Sequence, residues 1–188
     1  VHVTVPGLRR IVLGEQGADG AAWHRDSAAA HALTTAKPVR SPGPFAQRYM
    51  VITHSERGHL SDHAREVLAA AAILAAADTE VVLVVVGECH DDAGVLGADS
   101  VVSTPAFQAS SWQPQATVHW VQQCVEAYAP VRILMAENEQ GGVLGRGLAA
   151  RLAWTLQGQV VGLTPSQVRQ RADAQTDRLS AAAQVLLL

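Results

Sequence analysis

Cysteine, charge and aromatic side chains are all scarce in this chain of 188 residues, and each scarcity removes a class of protein from consideration. Cys89 and Cys124 are the only cysteines, each within an apolar stretch, so a disulfide framework is excluded in practice. Buried free thiols of this kind suit a reducing compartment, and the expected location is the cytoplasm. Charged residues make up 16% of the chain, and the formal net charge is -3. Its fourteen Lys and Arg residues are scattered rather than run together, so nothing draws a phosphate backbone and nucleic acid is not an expected partner. Aromatics make up 4%, and the four tryptophans, Trp23, Trp112, Trp120 and Trp154, follow no basic stripe. Base stacking therefore has no platform, and packing in a core or an interface is the expected use of the rings. Long apolar runs are missing as well. Val67 to Ala77 and Val81 to Val86 fall short of the ~20 residues that cross a bilayer, and no basic-then-apolar leader opens the chain. Membrane insertion is not expected.

What is present is a hydrophobic fraction of 48%, enough for one sizeable core, since domains typically run to roughly 100–200 residues. The chain starts at Val1 without a methionine and stops within Val185-Leu186-Leu187-Leu188, which reads as a trimmed or partial protein. Residues 1–48 hold four of the eight prolines, Pro6, Pro38, Pro42 and Pro44, and lack sustained periodicity. They read as an extended N-terminal arm, with the folded domain over 49–188.

From Tyr49 the pattern is one of alternating strands and helices. Tyr49 to Thr53 reads as a short buried strand followed by a polar loop, His54 to His59. Ser61 stands as an N-cap before a helix that runs to about Ala77. Val81 to Val86 has no polar alternation, the pattern of a strand buried on both faces. Gly94 to Ala98 reads as a turn or short helix, Ser100 to Ser103 as a third strand, and Ala116 to Tyr128 as a helix closed by Pro130. Val131 to Ala136 is another buried strand, Gly141 to Gln157 a glycine-initiated helix, and Gln159 to Leu163 a further strand. The polar stretch from Thr164 to Ser180 carries no clear pattern, and Ala183 to Leu188 is a final strand. The fold class that follows is α/β: a doubly wound, mainly parallel sheet with helices on both faces, like that of nucleotide-binding domains.

Four polar groupings could carry chemistry. Gly141, Gly142, Gly145 and Gly147 lie between a buried strand and a helix, where free backbone N–H groups can hold an anion. Their spacing is neither that of a dinucleotide fingerprint nor that of a phosphate loop, so close helix–sheet approach is the favoured use of these glycines. If a cofactor touches this segment, Gly142, Gly145 and Arg146 are the candidates. His54, His59 and His63 suggest a metal site only if His59 and His63 share a helical face, and Ser61 as N-cap leaves His59 outside the helix; no metal site is assigned. Glu88-Cys89-His90-Asp91-Asp92 ends a buried strand, where α/β sheets place binding loops, yet consecutive residues of an extended chain point in opposite directions. A Cys–His nucleophile is therefore not favoured over loop solvation and helix N-terminal charge. Glu137-Asn138-Glu139-Gln140 ends a later strand and could divide acid and base roles, or could simply be solvated. No catalytic residue is assigned.

Leu144-Gly145-Arg146-Gly147-Leu148-Ala149-Ala150-Arg151-Leu152-Ala153 resembles the Gly-Arg-Asp-Leu-Ala-Pro-Arg-x-Ala stretch of electron-transfer flavoprotein alpha subunits. Gly147 stands where that family has Asp, and Ala150 where it has Pro. Val84-Val85-Val86-Gly87 and Gly97-Ala98-Asp99-Ser100-Val101 are similar to the family's strand-Gly and Gly-Ala-Asp-x-Val elements. Pro6-Gly7-Leu8-Arg9-Arg10-Ile11 looks like the arm of a bacterial subgroup with long N-terminal extensions. The resemblance covers most of Arg9 to Leu163 and implies the N-terminal domain of an alpha subunit. That domain would serve as scaffold and subunit interface for a beta subunit, in a heterodimer passing electrons from a dehydrogenase to an acceptor. The family's flavin-binding C-terminal domain has no counterpart in these residues, so the FAD of the intact protein is expected not to be bound by this chain alone. Two other readings stand beside this one: an independent adenine-nucleotide-binding module using Gly141 to Gly147, and a scaffold acting only through protein contacts.

Overall fold

A computed structural model describes residues 44–104, 113–173 and 176–188. The first 43 residues, and with them nearly all of the expected arm, lie outside this description, as do Trp23 and Trp112.

Strand β1 (Gln47–Glu56) is longer than the apolar run Tyr49 to Thr53 suggests. It continues through His54 and Ser55, then turns back at Arg57 (φ 54°) and Gly58 (φ 84°) into β2 (His59–Leu60). Two successive positive φ values make a tight hairpin turn whose twist matches that of its strands. The expected polar loop is thus a hairpin, pairing Ser55 with Leu60 and Glu56 with His59. Helix α1 (Asp62–Leu74) follows, with the Ser61 hydroxyl accepting from the Ala64 N–H at 3.2 Å as its N-cap. Strand β3 (Thr79–Val86), the one-turn helix α2 (Ala93–Leu96) and strand β4 (Ser100–Thr104) come next. Helix α3 (Pro114–Tyr128) opens on a proline, whose missing N–H costs nothing at a helix start, and ends at Ala129 in the left-handed region. Strand β5 (Arg132–Met135) and helix α4 (Glu139–Leu152) complete the second unit.

The main sheet has the order β4-β3-β1-β5-β10-β6, every neighbouring pair parallel, where β6 is Leu156–Gln157 and β10 is Val185–Leu187. Period-two alternation sorts its side chains into two cores. Met50, Ile52, Val82, Val84, Ile133 and Met135 face α3 and α4, with Trp120 and Trp154 packed half-buried at the margin. Tyr49, Val51, Leu83, Val85, Leu134 and Leu186 face α1. A strand covered on both faces has no polar side to show, which is why Val81 to Val86 is an unbroken apolar run. The doubly wound α/β expectation holds.

The region after α4 departs from expectation. The helix stops at Leu152, not Gln157, because Ala153 adopts the left-handed conformation (φ 53°), and Leu156–Gln157 becomes the outermost strand of the sheet. The expected strand at Gln159 to Leu163 exists as β7 (Val160–Leu163), but it lies outside the main sheet. Gln159, at φ 53°, turns the chain out of the sheet, and its N–H is held by the Glu137 carboxylate. Strands β7, β8 (Gln167–Arg171) and β9 (Asp177–Ala181) then form a small antiparallel sheet, so the patternless stretch Thr164 to Ser180 is largely β-structure. This sheet stands between β6 and β10, where a doubly wound fold ordinarily places a crossover helix. Only Val160, Leu163 and Val168 anchor it to the α1-side core.

Candidate functional site

Strand order reverses between β1 and β5: the chain builds outward from β1 through β3 to β4, then returns to β1's other side with β5. Outside the carboxyl ends of such a pair of strands the covering helices diverge and a crevice opens. A cleft of about 90 Å³ lies there, lined by Ile52, Thr53, His54 and Glu56 from β1, by Ser61, and by Ala136, Asn138, Gln140 and Gly141 after β5. Two helix N-termini border it. Each carries its own cap: the Ser61 hydroxyl on the Ala64 N–H, and the Asn138 side chain on the Gly141 N–H at 2.8 Å. The amides that would attract an anion are in part already occupied.

Charge in the cleft points the same way. Among the described residues no Lys or Arg lines it, and Glu56 is its one acidic residue. Burial pushes the His54 imidazole from its ordinary 6.5 down to about 4, so the ring is neutral at pH 7. A volume of about 90 Å³ is also far below the ~300–1,000 Å³ of drug-sized ligand pockets. Among the described residues the cleft fits neither the diphosphate nor the ring systems of a flavin dinucleotide. What it offers is a set of neutral donors and acceptors from His54, Ser61, Asn138 and Gln140.

Of the glycines, Gly141 borders the cleft, while Gly142, Gly145 and Arg146 do not line it. A Cβ at Gly145 would lie 2.9 Å from Leu187 Cδ2 and 3.5 Å from Met135 Sδ, so this glycine brings α4 against the sheet. A Cβ at Gly147 would meet Val118 of α3 at 3.0 Å. Arg146 is exposed, and its guanidinium folds back over Gly142. Gly145 and Gly147 thus serve close approach between elements, while Gly142 and Arg146 meet each other along α4.

The Glu88 to Asp92 grouping is a brace. Asp91, largely buried, accepts from the Leu60 N–H at 2.7 Å and from Arg65 at 3.2 Å, and pairs with His59 Nδ1 at 3.0 Å. The neighbouring His90 donates its backbone N–H to Gly58 O at 2.7 Å, and its ring covers Gly58 and meets the His59 ring edge-on. Both residues thus clamp the β1–β2 hairpin to the loop after β3. Burial works to raise the Asp91 carboxyl, but the bonds from His59, Leu60 and Arg65 outweigh it and leave the group below the ordinary carboxylate range. Asp92 caps α2 through the Val95 N–H. Burial pushes the Cys89 thiol up, away from the thiolate a nucleophile needs. Asp91→Ala is expected to lower stability by about 2 kcal/mol, because it strips one amide and two side chains of their acceptor. Urea unfolding measures this, and a loss below half that size would show the clamp to be incidental.

The remaining groupings do not converge. His63 Nε2 meets Leu188 O at 2.8 Å, His59 is on Asp91, and only His54 is in the cleft. Glu137 holds the Gln159 N–H, while Glu139 lies in the first turn of α4. What sequence reasoning missed was the meeting of His54 and Ser61 with the distant Asn138. The signal for Asn138 was available, since Asn three residues before a helical N–H is an N-cap pattern. His54 stood out only as a member of a histidine grouping, not as part of a cleft with Asn138.

Among the described residues no helix is long and apolar enough to cross a membrane. No curated protein matches the chain. Residues 49–185 match the family described as the electron transfer flavoprotein domain.

Proposed function

The chain belongs to the electron transfer flavoprotein domain family, and from that premise we propose that it is the N-terminal domain of an alpha subunit, acting as scaffold and subunit interface. In this reading a beta subunit is its partner, a dehydrogenase supplies the electrons, and the flavin is held by residues other than Val1 to Leu188. The compartment is the cytoplasm. The domain makes and breaks no bonds of its own.

The observation that supports this reading best is the mismatch at the switch point. A doubly wound sheet places its ligand there, and this one offers about 90 Å³ with no Lys or Arg among the described residues that line it. A flavin dinucleotide needs a far larger site and a partner for its diphosphate. The framework is kept while the room for a large ligand is missing, as suits a domain that works through its surfaces. Gly142, Gly145 and Arg146 retain a role as cofactor contacts only if a partner completes a site around α4.

The second reading, an adenine-nucleotide module, draws on the position of the cleft and on the glycine-rich start of α4. Both readings are tested on residues 1–188. Incubated with excess FAD and desalted, the protein is expected to be colourless; stoichiometric flavin absorbance would sink the scaffold reading. Saturating AMP or ATP is expected to leave the thermal midpoint unchanged, since a ligand binding only the folded state must raise it. A rise of several degrees would favour the nucleotide module.

A further inference from the structure

Strand β9 has more of its surface uncovered than any other strand of its sheet. Asp177, Arg178, Leu179 and Ala181 are exposed, and Leu179, at 68%, is the most exposed large apolar residue among those described. Its two faces are distinguished by register: Ser180 pairs with the buried Val168 and Arg178 with Gln170 on the core side, while Leu179 pairs with Arg169 on the outer side.

Hydrogen-bond parity shows which backbone groups remain open. Ala182 donates to Ser166 O and Ala172 to Thr176 O, and both pairs continue the β8–β9 register. In an antiparallel ladder hydrogen-bonded pairs alternate with non-bonded ones. Arg178 and Ser180 therefore direct their N–H and C=O toward β8, and Asp177, Leu179 and Ala181 direct theirs toward the outer edge. The Ala181 carbonyl is taken by Gln157 Nε2 at 3.0 Å. Among the described residues Asp177 and Leu179 are left as the open edge, since β9 is the last strand of its sheet.

A second copy of this chain is a poor occupant. An antiparallel twin uses the edge groups of both Asp177 and Leu179 only in the register that sets Arg178 opposite itself, and like charges directly opposite are destabilising. The strands β8 and β9 carry Arg169, Arg171 and Arg178 against one acid, Asp177. That acid is engaged by Arg171 at 2.8 Å and Arg169 at 3.6 Å. Arg178 has no ion-pair partner among the described residues. We infer that the open edge of β9 receives an extended segment of a different polypeptide, carrying a carboxylate opposite Arg178 and an apolar side chain beside Leu179. Given the reading of the chain as one subunit of a flavoprotein, that polypeptide is the partner subunit.

The test uses the native complex, purified through a tag on this chain, with amide exchange compared between the complex and the free chain. Slowed exchange at Asp177 and Leu179 in the complex is expected. Arg178→Glu should weaken association by about 30-fold, as loss of a facing charge pair does. Leu179→Pro removes an N–H that points away from β8, a substitution edge strands tolerate, so the thermal midpoint should hold while association falls. If a second subunit co-purifies in a flavin-containing complex but these amides exchange as in the free chain and both variants bind normally, the edge assignment is wrong and the subunit reading stands. If no second subunit co-purifies, both fall.

Discussion

Replacing Gly141 with alanine is expected to destabilise the fold by about 3 kcal/mol, among the larger costs of overpacking a site that cannot yield. The added Cβ would lie 2.1 Å from the Ala136 carbonyl oxygen and 3.2 Å from its carbon. Those atoms are backbone at the end of β5, and the same carbonyl accepts the Asn138 N–H at 2.9 Å. Gly141 in turn donates to the Asn138 side chain, so moving it unmakes the cap of α4. No rotamer change relieves the overlap. Gly142→Ala is the matched control: the nearest atoms its Cβ would meet belong to the flexible guanidinium of Arg146, at 3.1 Å. There the helix propensity of alanine over glycine should give a gain of up to about 1 kcal/mol. Opposite signs at adjacent glycines, read from urea midpoints, would tie the requirement to the strand-to-helix approach. Equal losses would mean that the segment needs glycine for some other reason.

Acid should unfold the domain partly through His54. Its pKa is about 4 in the folded protein against 6.5 ordinarily, so between those values the unfolded chain binds more protons and stability rises with pH. The contribution is fully present above pH 6.5, is lost as pH falls toward 4, and is flat below. At 1.36 kcal/mol per unit, the loss is about 2.5 kcal/mol by pH 4.5 and approaches about 3 kcal/mol near pH 4. Asp91, held below the ordinary carboxylate value of 3.8, acts in a lower window, losing its contribution as pH falls below that value. The two are therefore separable. Urea unfolding of wild type and His54→Gln at pH 7 and pH 4.5 should show the wild type losing about 2.5 kcal/mol more than the variant. Parallel losses would show that His54 ionises as freely in the fold as out of it.

Much of this architecture was legible from local pattern because parallel strands covered on both sides leave an unmistakable trace. Val81 to Val86 announces itself by lacking polar positions, as does Ile133 to Ala136 behind the single charge of Arg132, and Ser61 and Pro130 mark helix boundaries by their own stereochemistry. The small sheet was not legible for the same physical reason. Its strands cover the core with Val160, Leu163 and Val168 alone, so the hydrophobic signal that betrays a strand is nearly absent from β9. The helix end at Ala153 was missed because a left-handed alanine carries no composition cue, unlike glycine. The cleft was invisible for a different reason. Its walls come from His54 and Ser61 on one side and from the much later Asn138 on the other, and only the strand order brings them together.

The position of β10 between β5 and β6 also decides the order in which the domain can assemble. The block β4-β3-β1-β5 is complete once Met135 has been made, and its contacts close over modest chain separations. Leu156 and Gln157, by contrast, have among the described residues no neighbour in the sheet except β10, which lies beyond the whole β7–β8–β9 excursion. The outer strand must wait for Val185 to Leu187 to slide into the slot between it and β5. Such late, long-range closure is slow, and until it happens the apolar edge of β5 stays open to wrong partners. Three residues near the end of the chain therefore act as the keystone of a sheet begun more than a hundred residues earlier.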